Sequence, residues 1–372
     1  MSRQPLAPAA LRRALAVRDL TDAALGPHAL QLLVRDVIAA LRDAWDVPAV
    51  VHRASPVVDV ADNYDRLGYA PEAAARDARY SRYVDDRRML RAHTSALVPG
   101  ALRELRDAGH DDVLVACPGL VYRRDAIDRL HVGEPHQLDL WRVRRGALGP
   151  DDLAGMVALV VAALLPGRAH RCRPALHPYT EHGLEIEVEA DGTWIELGEC
   201  GLAAPRVLAG AGVDPAEHAG LAMGLGLDRA LMLRKGIGDI RLLRSADPRV
   251  AGQLLDLEPY RPVSSMPPVR RDLSLAVAAD VDAELLGDRA REALGAEADA
   301  VEAIEVLSRT PAHELPAAAV ERLGLRPGQV NVLVRLVLRH PTETLTAAQA
   351  NGLRNVVYAA LHEGERYEWA AA

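Results

Sequence analysis

Between positions 28 and 45 apolar residues recur at Leu30, Leu33, Val34, Val37, Ile38, Leu41, Ala44 and Trp45, the spacing of one helical face. Residues 49–60 read as a strand interrupted by Pro56, and 64–88 as a polar, Ala- and Arg-rich helix or loop. The apolar runs 113–116 and 136–143 predict antiparallel strands around a turn. The stretch 152–165 opens with an acid that can cap a first turn and continues apolar, which predicts a buried helix beneath a sheet. In 184–188 apolar positions alternate with Glu185 and Glu187 ahead of Glu189, and Asp191-Gly192 before 193–197 signals a hairpin. Three carboxylates then share one strand face. Residues 220–233 pass from glycines and small residues into a helical run.

From 248 to 268 prolines and serines concentrate, which reads as a linker. Beyond it come a strand at 273–277, a helix at 283–294, a strand at 301–307 and an alternating strand through Val330, Val332, Val334, Leu336 and Leu338. A last helix starts at the Thr346 and Gln349 capping box. This order suits a small ferredoxin-like α+β domain. The expected organisation is an N-terminal extension (1–25), a main domain (26–250), a linker (251–265) and the tail domain (266–372).

Composition adds bounds. The chain has 372 residues, 49% of them hydrophobic, enough for a substantial core and two or three domains. Its longest apolar run, 156–166, is shorter than the roughly 20 residues of a spanning helix, and the N-terminus lacks a signal-peptide pattern, so no membrane partner and a cytoplasmic location are expected. Three cysteines, odd in number and far apart, suggest neither disulfides nor zinc. A net charge of -8 argues against a nonspecific nucleic-acid coat and leaves room for local arginine patches. Lys235 is the only lysine and phenylalanine is absent. Arginine and alanine in place of lysine fit a GC-rich genome; zero phenylalanine is beyond that drift, since a usage of about 4% would give on the order of ten.

Three short segments carry chemistry. Arg91-Ala92-His93-Thr94-Ser95 could by itself be a capped helix start. Pro118 to Asp125 contains Tyr122-Arg123-Arg124-Asp125 and is followed by His131 and His136-Gln137-Leu138-Asp139; an arginine leaving a strand can grip a phosphate with two parallel donors. Gly224-Leu225-Gly226-Leu227-Asp228-Arg229 allows close backbone approach and puts Arg229 in a first helical turn, without the spacing of a dinucleotide fingerprint.

Their order along the chain resembles the class II aminoacyl-tRNA synthetase core, in particular the phenylalanyl-tRNA synthetase family. Residues 90–95 are similar to its R-T-H-T-S element, and 118–137 to its P-G-x-V-Y-R-x-D…H-Q motif 2. Residues 171–181, 194–201 and 220–233 are similar to its R-x-R-P-S-Y-F-P-F-x-E strand, W-x-E-x-x-x-C-G stretch and motif 3. The tail from 266, opening Pro268-Val269-Arg270-Arg271-Asp272, resembles the ferredoxin-fold anticodon-binding domain, in a single-chain layout. The resemblance implies an α+β fold, an antiparallel sheet with flanking helices plus the tail domain, and an ATP- and Mg²⁺-dependent ligase that activates an amino acid and passes it to tRNA. By position, it implies Arg123 and Arg229 as catalytic phosphate ligands, with Asp125 and His131 also at ATP. His93, Ser95, Gln137, Asp139, His177, Tyr179, Glu199 and Ala222 would line the amino-acid pocket. Glu185 and Glu196 would hold Mg²⁺, Arg270 and Arg271 would meet tRNA, and the 28–45 helix stands where class II enzymes dimerise.

The departures cluster in the pocket. F-P-F becomes His177-Pro178-Tyr179, F-H-Q becomes Pro135-His136-Gln137, the acid of H-Q-x-E is shortened to Asp139, and Glu199 stands where the family has glycine. An aromatic-lined slot selects a benzyl group by apolar burial, so a substrate other than phenylalanine is expected, with a polar or amine-bearing side chain if Glu199 faces the pocket. The alternative is that Glu199 turns away to Arg173 or Arg206. Two further functional readings stand beside this one: a ligase with a non-tRNA acceptor, and a silent paralogue that only binds.

Overall fold

Among the described residues nine strands precede residue 227: β1 (Ala49–Val51), β2 (Val57–Asp59), β3 (Arg88–Leu90), β4 (Asp112–Leu120), β5 (His136–Arg145), β6 (His170–Pro174), β7 (Thr180–Ala190), β8 (Thr193–Ala203) and β9 (His218–Gly226). They belong to a computed structural model that describes residues 5–124, 126–263, 267–341 and 343–366. Seven of them form one sheet in the order β1-β4-β5-β9-β8-β7-β6, antiparallel except for the β1–β4 pair. The strand expected across 49–60 divides before Pro56, which cannot donate to a ladder: β1 joins the large sheet and β2 pairs with β3. Residues 64–88 are mostly irregular, with short 3₁₀ turns.

The hairpin between β7 and β8 turns on Asp191 (φ 50°) and Gly192 (φ 81°), both left-handed as a tight two-residue turn demands. Farther along β8 the register slips: Ile186 pairs with Gly198 but Glu187 pairs with Glu196, leaving Leu197 as an extra residue. This bulge turns Glu196 to the face shared by Glu185, Glu187 and Glu199. Without it, Glu196 and Glu199, an odd number of residues apart, would point to opposite sides.

One face of the sheet carries Leu114, Ala116, Leu138, Leu140, Ile186 and Val188, all fully buried. The helices Ala29–Trp45 and Pro150–Leu164 pack on each other and on the sheet. The first presents Leu30, Leu33, Val34, Val37 and Leu41 inward, and its N-terminus is capped by His28, whose Nδ1 accepts from the Leu30 N–H (3.2 Å). In the second, Asp152 accepts from the Gly149 N–H (2.8 Å), three residues before it. On the opposite face Val113, Val115, Trp141 and Ala222 pack with the helix Val98–Ala108 through Val98, Ala101 and Leu102. That second face stays open near β8 and β9, and it holds the site.

The chain divides into two compact units. The first takes in 1–123, 134–237 and 252–260; the second takes in 124–133, 238–251 and 261–372. The boundary therefore differs from the proline-based reading. Residues 252–260 are part of the first unit because Lys235, only 2% exposed, donates to the Asp256 carbonyl (2.9 Å), the Asp256 carboxylate (2.8 Å) and the Glu258 carbonyl (2.5 Å). A buried ammonium must satisfy its donors, and this segment supplies the acceptors.

In the second unit β10 (Val269–Ala278), β11 (Val301–Pro311) and β12 (Gln329–Leu338) form an antiparallel sheet in the order β10-β12-β11. The helices Ala283–Leu294 and Ala347–Leu361 bury Leu286, Ala290, Leu353 and Val357 against Leu273, Leu275, Val334 and Leu336. With Thr346 and Gln349 forming the expected capping box, the elements run β-α-β-α-β-α, the short helix Ala317–Leu323 standing between β11 and β12. Among the described residues there is no fourth strand in this sheet.

Replacing Lys235 with Met should lower stability by about 2 kcal/mol, because hydrogen bonds to a charged group are lost and the two carbonyls of 256 and 258 lose their donor. Urea unfolding measures it; an unchanged midpoint would refute the anchoring role.

Candidate functional site

On the open face one row of side chains crosses four strands. Asp139 on β5 pairs with Gly224 on β9, Gly224 with Glu199 on β8, and Glu199 with Glu185 on β7. Residues directly paired on neighbouring strands share a face. Gly224 is the gap in the row: a Cβ there would lie 3.8 Å from both the Asp139 carboxylate and the Glu199 side chain, so the glycine leaves room between two acids. Ala222, fully buried, keeps the neighbouring position low.

The Arg91 to Ser95 segment is bound to this row by Asp139. Thr94 Oγ1 donates to Asp139 Oδ2 (2.7 Å), Trp141 Nε1 donates to Oδ1 (3.4 Å), Ser95 bonds the same carboxyl, and the Thr94 N–H donates to Gln137 Oε1 (3.2 Å). Burial pushes the Asp139 carboxyl up to about 6, against the pull of these donors. Both Asp139 and Gln137, expected in the amino-acid pocket, thus spend polar groups on holding this turn. His93 follows the opposite course. Burial, with the positive Arg123 nearby, pulls its imidazole down to about 4, so it is neutral at neutral pH. It stacks on Tyr69 (ring centroids 5.7 Å apart), Nε2 lies 3.5 Å from Asn63 Nδ2, and Nδ1 is buried without a partner among the described residues.

Glu199 faces the site and pairs with neither Arg173 nor Arg206. Its carboxylate lies 2.7 Å from His177 Nε2 and accepts from the Tyr179 hydroxyl. Burial alone would raise this carboxyl; the bonds from His177 and Tyr179 outweigh that and hold it below its ordinary value. Tyr179 is 3% exposed and its phenol is pushed well up by burial and by the Glu199 charge. His177, Tyr179 and Glu199 therefore satisfy one another, while 38% of the Glu199 side chain remains exposed.

The other flank of the row holds the arginines. Just beyond β4, the Tyr122 N–H donates to the Arg91 carbonyl (2.9 Å), Arg82 donates to the Arg123 carbonyl (2.8 Å), and Arg123 Nε donates to the Ala92 carbonyl (2.9 Å). Arg229 leaves the first turn of the helix Leu227–Lys235, and its Nη1 donates to the Glu196 carbonyl (2.9 Å) and lies 3.9 Å from the Glu196 carboxylate. Burial raises the Glu196 carboxyl, Arg229 and Arg123 oppose that, and Glu185 and Glu199 add to it, so four neighbouring charges act on this one carboxyl. Among the described residues no three His, Cys, Asp or Glu side chains cluster closely enough to hold a metal by themselves. Glu185 and Glu196 instead offer two hard oxygen donors beside arginines, the partial set that suits Mg²⁺ arriving with phosphates.

Other expected residues fall elsewhere. Asp125 lies outside the described residues. His131 belongs to the second unit, where its Nδ1 sits 2.7 Å from Asp128 Oδ2. Arg270 and Arg271, adjacent on β10, point to opposite faces; Arg270 is exposed, whereas Arg271 donates to Asn351 Oδ1 (3.0 Å) on the helix side. They do not form one patch.

Sequence reasoning missed Tyr69 and Asn63, which come from the irregular 64–88 stretch and the short helix before it, and Thr94, read only as a cap. It also missed a buried relay. The Leu20 N–H donates to His136 Nε2 (3.0 Å), and His136 donates through Nδ1 to Asp228 Oδ1 (2.9 Å) and through its backbone N–H to Asp228 Oδ2. His136 and Asp228 are almost wholly buried, so this relay joins the N-terminal segment, β5 and the Arg229 helix. An acid next to a motif arginine was the available signal.

Residues 37–254 match the family model described as "tRNA synthetases class II core domain (F)". The chain is 36% identical over 191 residues to a phenylalanine–tRNA ligase alpha subunit of Prochlorococcus marinus (strain MIT 9313), covering 51% of this chain and 56% of that protein. It is 33% identical over 193 residues to the same subunit of Nostoc punctiforme (51% and 56% covered) and 33% identical over 196 residues to that of Corynebacterium efficiens (50% and 56%). The chain thus spans just over half the length of these relatives.

Asp139 and His93 should leave opposite marks on the pH dependence of stability. A carboxyl raised to about 6 binds its proton more tightly in the folded state, so its contribution falls as pH rises from about 4 to 6. An imidazole lowered to about 4 does the reverse, contributing stability that is lost as pH falls from about 6.5 to 4. The two nearly offset each other in the native protein. Asp139→Asn should therefore lose stability on acidification from pH 6.5 to 4.5 more steeply than the wild type, and His93→Gln less steeply. Urea midpoints at the two pH values test this; equal slopes in all three proteins would show that these groups are not shifted as described.

Proposed function

The chain belongs to the family of class II tRNA synthetase core domains, and we propose that it is an ATP-dependent ligase that activates an amino acid as its adenylate. The observation that carries this reading is the convergence of Arg123, Arg229 and the Glu185–Glu196 pair on the sheet face that also holds His93 and Glu199. The substrate carboxylate attacks the α-phosphorus of ATP; the new C–O–P anhydride forms as the bond to the β-phosphate oxygen breaks, and pyrophosphate leaves with that electron pair. The nucleophile is already ionised, so no general base is needed. In this reading Arg123 meets the α-phosphate and Arg229 the outer phosphates, stabilising charge in the crowded transition state. Glu185 and Glu196 would hold a magnesium ion that arrives with ATP, and that ion would further neutralise phosphate charge. Neutral His93, with Nδ1 unpaired, and Ser95 border the ammonium end of the amino acid.

The amino acid is other than phenylalanine. His177 and Tyr179 are paired with Glu199, so it is the remaining charge and open surface of Glu199, beside the gap at Gly224, that disfavour a benzyl group. A carboxylate left against an apolar ring loses water without gaining a partner, whereas an amine or other donor on the side chain would pair with it. The leading substrate class is therefore an amino acid with an amine-bearing or otherwise hydrogen-bond-donating side chain.

Family membership favours tRNA as acceptor. One observation favours a second reading, a non-tRNA acceptor: from 267 to 366 the tail has 11 arginines against 15 carboxylates, and several of those arginines are spent on internal pairs, among them Arg289–Glu363 (2.5 Å) and Arg335–Asp272 (2.8 Å). A surface that binds RNA through phosphates needs free cations.

Pyrophosphate exchange with ATP across a panel of amino acids, followed by acylation of total tRNA, tests both parts. Arg123→Ala and Arg229→Ala should each reduce exchange by about 10²-fold or more with an unchanged circular dichroism spectrum. Glu199→Gln should raise the KM of the activated amino acid about tenfold and leave that of ATP unchanged. Near-normal exchange in both arginine variants refutes the adenylation reading; efficient exchange with phenylalanine itself refutes the polar pocket.

A further inference from the structure

We infer that Arg206, outside the row of site residues, is a positioning residue that clasps together the two loops forming the aromatic walls of the amino-acid pocket, and so sets pocket width. The inference rests on the adenylation reading for what the pocket holds. The clasp itself stands on geometry alone.

The first wall is Tyr69, stacked on His93 and close enough to feel the charges of Glu199 and Arg123. The second is His177-Pro178-Tyr179, whose phenol bonds Glu199 and whose ring lies 6.4 Å from that of Trp141. Two bonds from the segment after β8 hold the second loop: the Ala204 N–H donates to the Tyr179 carbonyl (3.0 Å), and Arg206 Nη2, on the helix Pro205–Gly210, donates to the Pro178 carbonyl. The same guanidinium brings its Nε–Nη2 edge against Gly68, the residue before Tyr69. A Cβ at Gly68 would come within 2.3 Å of Arg206 Nε and 2.8 Å of its Cζ. Gly68 has φ +80°, a conformation that favours glycine, and no side chain stands between its backbone and the guanidinium.

Arg206 thus touches both loops at backbone level, one through a carbonyl and one through a glycine with no side chain to intervene. Ala204 holds only the second loop. Loss of the Arg206 guanidinium should leave the walls linked only by the apolar packing of the helix Pro205–Gly210 on residues 65–67 and by the Ala204 bond, and so looser relative to each other. A lysine has no second nitrogen to set against Gly68 while a first one reaches the Pro178 carbonyl, so it can keep only the single donor to that carbonyl.

Hydrogen–deuterium exchange of the 372-residue chain tests the clasp without any substrate. In Arg206→Ala, backbone amides of residues 64–70 and of 177–180 should exchange about tenfold faster together, and Arg206→Lys should restore the second segment more than the first. Unchanged exchange in 64–70 overturns the inference whatever happens at 177–180. With the amino acid identified by pyrophosphate exchange, Arg206→Ala should raise its KM about tenfold while the KM of ATP and kcat stay within about twofold. A fall in kcat with unchanged KM would also overturn it. If no amino acid supports exchange, the adenylation reading fails, and the deuterium result still decides the clasp.

Discussion

The buried carboxyl of Asp139 joins the parts of the site that come from distant stretches of sequence. It lies near the centre of the seven-stranded sheet, 2% exposed, and takes bonds from Thr94, Ser95 and Trp141. Removing a carboxyl from water is costly unless it is fully bonded, and full bonding requires the His93–Ser95 turn to lie on β5. That placement brings the Ala92 carbonyl to Arg123 and the His93 ring to Tyr69. Stability and site geometry are thus coupled through one group, which is why the pH behaviour of the fold and the arrangement of the pocket are two views of one constraint.

The bulge in β8 is the second device. By inserting Leu197 it turns Glu196 to the site face, where it meets Arg229, while Glu199 keeps the regular phase and meets His177 and Tyr179. A single irregularity therefore lets one strand present Glu196 to Arg229 and Glu199 to His177 and Tyr179 on the same face. Gly224, across from Glu199, leaves the space between Glu199 and Asp139.

Much of this was legible in the sequence. Periodicity located the helices Ala29–Trp45 and Pro150–Leu164, the Asp191-Gly192 turn fixed the β7–β8 hairpin, and the arginines of 123 and 229 stood in recognisable surroundings. What the sequence did not carry was long-range choice of partner. Glu199 could have met Arg173 or Arg206, and only the folded chain gives it to His177 and Tyr179, leaving Arg206 free to hold Pro178. The proline-rich stretch read as a tether because local signals cannot register that Lys235, buried far upstream, requires its carbonyls. Arg270 and Arg271 looked like a basic pair, yet strand alternation sends them apart. The irregular 64–88 stretch has no period to read, so Tyr69 was invisible.

The central claim is that the pocket reads a hydrogen-bond-donating side chain on an amino-acid adenylate through Glu199. Calorimetric titration of the 372-residue chain with two non-hydrolysable adenylate mimics, phenylalanyl-sulfamoyl-adenosine and its 4-aminophenylalanyl counterpart, addresses it directly. The account predicts tighter binding of the amine-bearing compound by about tenfold, the worth of one bond to a charged acceptor. Equal affinity, or a preference for the phenylalanyl compound, would contradict it.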